Sequence, residues 1–148
     1  MRPLGITIGD AAGVGPELIL RQAGQLEHPF FVYGSATVMR AARESLVASG
    51  VPVAFTGVES IEAPDAVADF PSEVLHVVDV APSISVASPY PWGKAVAEFG
   101  ALQHAALVRA IEDAMSGAIC GIFTAPWHKA RLADAGLPPT GHTEVLQE

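Results

Sequence analysis

The chain has 148 residues, of which 50% are hydrophobic and 16% charged, with 8 Lys and Arg against 16 Asp and Glu. This composition predicts one globular domain with a sizeable core, and a net charge of −8 without a basic run excludes the cationic footprint of a nucleic-acid-binding protein. No apolar stretch is long enough to span a membrane, and no signal-like block follows Arg2, so a cytoplasmic location is expected.

Five short segments rich in apolar and β-branched residues predict strands, and they alternate with segments that predict helices. In chain order the predicted strands cover residues 4–8, 30–34, 51–58, 74–81 and 118–125. The predicted helices cover residues 16–25, 35–50, 93–117 and 128–136, with loops at 61–72 and 81–93. Helix-end signals are Pro16 in a first turn, Ser35 as an N-cap, and Gly50 and Gly136 as stops. The alternation predicts a three-layer α/β fold with a mainly parallel sheet.

Two predicted loops carry the candidate site residues, because binding sites of parallel sheets gather at the carboxyl ends of the strands. They are GDAAGVGPE after the first strand and TAPWHKARLADAGLPPTGHTE after the fifth. The glycine-rich loop has Leu18 where a dinucleotide fingerprint needs glycine, and it lacks the lysine of a P-loop. A tight structural turn and a loop bordering a ligand both stay open for it. Asp10 is expected to orient this turn through nearby backbone amides.

Isolated residues of reactive or aromatic type give weaker signals. Cys120, the only cysteine, lies in the apolar run AICGIF and is expected to be a small buried hydrophobe, so neither an internal disulfide nor a cysteine-based zinc site is possible. Trp92 and Trp127 lie beside prolines, and lining a cleft, forming a subunit contact and packing in the core all stay open for them. Three histidines lack partners at metal-ligand spacing and are expected in packing or surface roles: His28, His76 and His104.

Three segments, in order, resemble one enzyme family across nearly the whole chain. ITIGDAAGVGPEL, the stretch from Gly93 to Gly136 and PPTGHTEVLQE resemble the 4-hydroxythreonine-4-phosphate dehydrogenases of pyridoxal phosphate biosynthesis. Two departures are Ala11, where the family usually has proline, and His128, where asparagine is common. The resemblance implies a fold similar to that of isocitrate and isopropylmalate dehydrogenases. It also implies that residues 1–148 form the N-terminal part of that fold in a truncated chain, since family members are about twice as long.

The resemblance further implies an oxidoreductase that uses NAD or NADP to oxidise 4-phosphooxy-L-threonine, which then loses carbon dioxide to give 3-amino-2-oxopropyl phosphate. It implies a homodimer and a divalent metal (Zn, Mg or Co) whose histidine ligands, like most of the nicotinamide site, lie beyond residue 148. Two alternatives stay within the family: a dehydrogenase of phosphorylated threonate or erythronate, and one of a dihydrodiol dicarboxylate. Two others lie outside it: a truncated non-catalytic domain and an unrelated phosphate-binding α/β module.

Within this chain, the resemblance assigns contact with the phosphorylated substrate to His142 and Thr143. Imidazole and hydroxyl groups both donate hydrogen bonds to oxygens, and Gly141 is expected to take an unusual backbone angle that aims the pair into a cleft. Lys129 stays open between a ligand for phosphate or carboxylate and a solvated residue of a first helical turn. Lys94 is expected to be a surface residue at a helix start.

Overall fold

The computed structural model describes residues 1–64 and 70–148, so part of the predicted loop 61–72 lies outside the described residues. The strands are β1 (Leu4–Thr7), β2 (Phe30–Gly34), β3 (Gly57–Ile61), β4 (Val74–Asp79) and β5 (Gly121–Thr124). The helices are α1 (Gly15–Gln22), extended by a 3₁₀ turn (Ala23–Gln25), α2 (Ala36–Ala48), α3 (Ala97–Met115), α4 (Lys129–Asp134) and α5 (His142–Gln147). Within the described residues, no helix is both long and apolar enough to cross a bilayer.

The five strands form one sheet in the order β3-β4-β2-β1-β5, and every pair is parallel, which confirms the predicted sheet. Thr7 at the end of β1 is in register with Tyr33 of β2 and with Thr124 of β5. The carboxyl ends of these three strands therefore meet at one edge, where the loops that follow β1 and β5 begin.

Helices cover both faces of the sheet, as the predicted three-layer arrangement requires. Ile6 points toward α1, since it lines one groove with Leu18 and Ile19. Tyr33 points the other way, because its hydroxyl donates to Asp113 Oδ2 of α3 at 2.8 Å. Successive residues of a strand alternate between faces, and Tyr33 is in register with Thr7, the neighbour of Ile6. The helices α1 and α3 therefore lie on opposite faces of the sheet.

The predicted helix-end signals act as expected. Ser35 Oγ accepts a hydrogen bond from the Val38 N–H at 3.2 Å and caps α2. Gly50 and Gly136 each have a φ of 76°, the left-handed conformation that ends helices after α2 and α4. Pro16 lies in the first turn of α1, where its missing N–H costs no helical hydrogen bond.

The predicted third strand is wrong for most of its length. Residues 51–56 form a connection, and β3 begins only at Gly57. Much of the backbone of this connection bonds to helices: the Ala54 N–H donates to Leu20 O, and Phe55 O accepts from Arg43 Nε, both at 2.7 Å. The Thr56 N–H, next to β3, instead donates to Glu73 O beside β4, at 2.8 Å. Apolar alternation here reflects burial of Phe55 in the core, at 3% exposure, and not strand pairing.

Two helix predictions are also corrected. The helix predicted from Gly93 begins at Ala97, because Gly93 has a φ of 72° and the Lys94 N–H donates to Pro91 O in a turn. Lys94 is exposed, as expected, but precedes the helix. The short helix α5 was not predicted, so His142 lies in a first helical turn and not in a loop.

Candidate functional site

The glycine-rich loop after β1 is a tight turn that lies against the end of β5. Gly9 has a φ of 68°, and a Cβ at this position would overlap Pro126 O. The Asp10 N–H donates to that same oxygen at 3.0 Å. A Cβ at Gly15 would likewise overlap Ile8 O. The glycines thus serve the structural turn that the sequence offered as one interpretation, and they let the two predicted site loops meet.

Asp10 ties this turn to α4. Its Oδ1 accepts from the Ala12 N–H at 3.1 Å, which confirms that Asp10 orients the turn through a backbone amide. Its Oδ2 lies 3.8 Å from Nε of Arg131, whose guanidinium also pairs with Asp134 at 3.3 Å. No sequence pattern points to Arg131 as the partner of Asp10. A buried carboxylate requires a hydrogen-bond donor or a cation nearby, but this rule does not indicate where in the chain the partner lies.

The proline-rich loop after β4 closes over the same turn. The Tyr90 hydroxyl donates to Ala11 O at 2.6 Å, and burial, followed by the negative charge of Asp10, raises the pKa of Tyr90, so this hydroxyl stays a donor. Trp92 stacks on Tyr90 with ring centroids 4.3 Å apart and donates from Nε1 to Ser45 Oγ at 2.9 Å. Of the alternatives left open for Trp92, packing within the fold is the one observed.

The turn after β5 is held by a fully buried glutamine of α3. Gln103 has no exposed surface; its Nε2 donates to His128 O at 2.7 Å, and its Oε1 accepts from the His128 N–H at 3.2 Å. One side-chain amide thus bonds both backbone groups of His128. His128 is the N-cap residue of α4, and its own side chain makes no capping hydrogen bond. Gln103 therefore fixes the backbone between β5 and α4, a role that no sequence pattern indicates.

Gly141 precedes α5 and does not take the unusual backbone angle expected of it. Its φ of −90° and ψ of 178° are ordinary extended values, so the expected unusual angle is wrong. A Cβ on Gly141 would lie 2.8 Å from Glu144 Oε2 and 3.3 Å from Lys129 Cε. Glu144 Oε2 accepts the Gly141 N–H at 2.9 Å and so caps the helix that carries His142 and Thr143.

Three of the predicted site residues come together at this helix start. Lys129 is exposed at the first position of α4, and its ammonium lies beside Gly141, immediately before His142 and Thr143. Backbone hydrogen bonds at the helix start, and then the charge of Lys129, hold the pKa of Glu144 below its usual range. The ammonium of Lys129 thus lies close to the residue that precedes His142 and Thr143.

His142 stacks on the half-buried Trp127. The ring centroids lie 4.6 Å apart at an angle of 51°, and Trp127 Nε1 donates to Thr140 O at 2.7 Å. Nε2 of His142 is buried and has no hydrogen-bond partner. Burial lowers the pKa of His142 and so favours the neutral imidazole. A neutral ring with a free buried nitrogen is prepared to bond an oxygen of a ligand.

The lowered pKa of His142 makes stability depend on pH in a defined window. Below about pH 6.5, His142 binds a proton in the unfolded chain more readily than in the native protein. The free energy of unfolding therefore falls as pH falls from about 6.5 toward the pKa of His142 in the native protein. Between pH about 7.5 and about 5.5, the free energy of urea unfolding should fall less in His142→Gln than in the unchanged chain. In His104→Gln, on α3, it should fall as much as in the unchanged chain. An equal loss in all three proteins would contradict this assignment.

His28, His76 and His104 lie apart from this site, whereas His128 lies in the turn before α4, between Trp127 and Lys129. His76 Nε2 in β4 is 3.5 Å from Glu59 Oε2 in β3, while His104 is half-buried on α3. Among residues 1–64 and 70–148, no group of three or more His, Cys, Asp or Glu side chains is arranged to hold a metal ion. The location of metal ligands beyond residue 148 stays a prediction.

The prediction that Cys120 is buried is wrong. Its side chain is exposed at the start of β5, at the edge of the sheet opposite the candidate site. The thiol donates to Arg2 O at 3.2 Å and lies 4.0 Å from His28 Nε2. The apolar run around Cys120 reflects the core contacts of Ile119, which is 1% exposed, and not the environment of the cysteine.

Comparisons with known proteins agree with the resemblance seen in the sequence. A family described as "Pyridoxal phosphate biosynthetic protein PdxA" matches residues 25–148. The chain is 35% identical over 155 residues to 4-hydroxythreonine-4-phosphate dehydrogenase of Prosthecochloris aestuarii, covering 100% of this chain and 43% of the relative. It is 32% identical over 150 residues to D-threonate 4-phosphate dehydrogenase of Salmonella typhimurium, covering 98% of this chain and 43% of that protein.

The fold is also similar to that of solved structures. A crystal structure of a 4-hydroxythreonine-4-phosphate dehydrogenase from Burkholderia phymatum superposes with a TM-score of 0.80 at 29% identity. That match covers 99% of this chain and 42% of the solved one. The chain therefore spans about two-fifths of the length of the relatives it matches.

Proposed function

Because the chain belongs to the PdxA family of pyridoxal phosphate biosynthetic proteins, we propose that it supplies part of the substrate site of a dehydrogenase acting on 4-phosphooxy-L-threonine. His142 and Thr143 contact oxygens of the phosphorylated substrate in this proposal. The observation that carries it is the buried, unpartnered Nε2 of His142 at the start of α5, with the ammonium of Lys129 beside the preceding residue. The matched family and the 35% identical relative supply the substrate class.

The side chains at this site suit an anionic ligand that carries several oxygens. Thr143 offers a hydroxyl donor, and His142 offers a ring nitrogen that donates in one tautomer or when protonated. Lys129 adds a positive charge that strengthens hydrogen bonds to phosphate or carboxylate. A bound phosphate would raise the pKa of His142 from its lowered value, since a negative charge favours imidazolium.

In the whole enzyme, NAD or NADP would supply the hydride acceptor for oxidation of the secondary alcohol to a ketone. The resulting 3-keto acid loses carbon dioxide and gives 3-amino-2-oxopropyl phosphate. The described residues of this chain do not fit a metal site, so no step of the reaction is assigned here to a metal. The residues of this chain bind and orient the substrate, and a homodimer is part of the proposal for the whole protein.

The second candidate substrate is D-threonate 4-phosphate, which the 32% identical Salmonella typhimurium relative favours by its name. It keeps the phosphate and carries a hydroxyl where 4-phosphooxy-L-threonine carries an amino group. Both substrates would meet the same phosphate-binding side chains, so discrimination depends on groups at the other end of the ligand.

Calorimetric titration of this chain tests the proposal. We expect 4-phosphooxy-L-threonine to bind more tightly than threonine, and His142→Gln to weaken its binding about tenfold, the effect of losing one hydrogen bond to a charged group. His104→Gln is the matched control and should bind as the unchanged chain does. Equal binding of threonine, or equal weakening by His104→Gln, would contradict the proposal, and tighter binding of D-threonate 4-phosphate would favour the second substrate.

A further inference from the structure

We propose that Trp127 is the positioning residue of the substrate site, holding the imidazole of His142 in place by a ring stack and the backbone before it by a hydrogen bond. The inference rests on the proposed role of His142. It assigns a role to Trp127, for which lining a cleft, forming a subunit contact and packing in the core were all open from the sequence. Trp127 itself is not proposed to touch the substrate.

The first support is that the turn containing Trp127 is fixed to the body of the protein on both sides. Pro126 O accepts the Asp10 N–H from the turn after β1 at 3.0 Å. On the other side, the buried Gln103 binds both the N–H and the carbonyl of His128. The backbone of Trp127 therefore lies between two anchored neighbours, one tied to β1 and the other to α3.

The second support is that Trp127 makes two separate contacts with the segment that leads into α5. Its Nε1–H donates to Thr140 O at 2.7 Å, and its ring lies 4.6 Å from the ring of His142. Two contacts to residues two apart in sequence fix both the position of the backbone and the plane of the imidazole. The remaining ties of α5 are the buried Val145 and the cap formed by Glu144.

The third support is the state of the imidazole that results. Beside the indole, at an angle of 51° to it, His142 has a buried Nε2 that no group of the described residues bonds. An imidazole free to rotate would turn this nitrogen toward water, because a buried polar atom without a partner is costly. In this proposal the contact with Trp127 keeps Nε2 without a partner until a ligand oxygen bonds to it.

Tryptophan fluorescence tests the stack without any ligand. In a Trp92→Phe background only Trp127 emits, and a protonated imidazole in contact with an indole quenches its emission. We expect the emission of Trp127 to fall as pH is lowered, with a midpoint that matches the titration of His142 by NMR, and we expect His142→Gln to abolish this transition. A transition that persists in His142→Gln would overturn the proposed contact.

Two substitutions then separate stacking from hydrogen bonding. Trp127→Phe keeps an aromatic ring but removes the N–H donor, while Trp127→Leu removes both. We expect Trp127→Leu to shift the NMR titration of His142 toward that of an exposed histidine and to weaken 4-phosphooxy-L-threonine binding about 3- to 10-fold, the cost of ordering a loosened side chain on binding. In Trp127→Phe the NMR titration of His142 should stay close to that of the unchanged chain. Trp92→Phe is the matched control, and it should change neither measurement.

The outcomes distinguish this inference from the proposed function. If Trp127→Leu leaves the titration of His142 unchanged, the positioning role is wrong whatever the ligand does. If the titration shifts while His142→Gln leaves ligand binding unchanged, Trp127 positions His142 but the proposed substrate role of His142 is wrong. NMR spectra with the dispersion of the unchanged chain establish that each variant is folded.

Discussion

Replacing Gly100 by alanine is expected to lower the free energy of unfolding by about 3 kcal/mol, the upper part of the usual range for overpacking. Gly100 lies in the first turns of α3, where its missing side chain lets α4 approach, and a Cβ would overlap Arg131 O. The overlap is with backbone, so α4 as a whole must move. Alanine gains only about 1 kcal/mol in helix propensity, which does not offset this cost.

Gly57→Ala is the matched control for that substitution. A Cβ on Gly57 has no atom within 4 Å, so the change is expected to leave stability nearly unaltered. Urea unfolding followed by circular dichroism measures both proteins. A Gly100→Ala protein as stable as the control would mean that α3 and α4 are not packed as closely as described.

Replacing Gln103 by methionine is expected to cost about 1–3 kcal/mol, because the backbone of His128 loses two hydrogen bonds while the substituted side chain keeps its length. The His128 N–H loses its partner, and the His128 carbonyl keeps only the hydrogen bond from the Arg131 N–H at 3.2 Å. The same change should loosen the turn that carries Trp127, so the His142 titration should shift toward that of an exposed histidine. Stability and site geometry should therefore change together.

Gln25→Met provides the control for the loss of a glutamine. Gln25 is exposed in the 3₁₀ turn after α1, so its replacement should change stability by less than about 0.5 kcal/mol. Hydrogen exchange of the His128 amide offers a direct readout at the site. Unchanged protection of that amide in Gln103→Met would show that the glutamine does not hold the turn.

The sheet and its order of elements could be predicted because the signals are local. Strands β1, β2 and β4 are mainly apolar, and Gly9, Ser35 and Asp79 lie at or just beyond their ends. The third strand was placed too early because burial of Phe55 imitates strand alternation. Local pattern alone cannot distinguish a buried connection from a strand when both place apolar side chains in the core.

The site could be predicted only in part, because its geometry depends on contacts between distant residues. The sequence pointed to His142 and Thr143 through a family resemblance, and their role as substrate ligands stays a prediction. The helix that carries them is six residues long, too short for a periodic signal. Arg131 pairs with Asp10, a partner that is distant in sequence, and no pattern connects such residues before the chain folds.

The most direct test of the account is the pKa of the His142 imidazole, measured by NMR with and without saturating 4-phosphooxy-L-threonine. Burial lowers this pKa in the free chain, and the account predicts that the ligand raises it, because a bound anion favours the imidazolium form. Threonine, which lacks the phosphate, should leave it where it is. A His142 titration that the phosphorylated ligand does not move, whether or not other resonances respond, would contradict the proposed role of this chain.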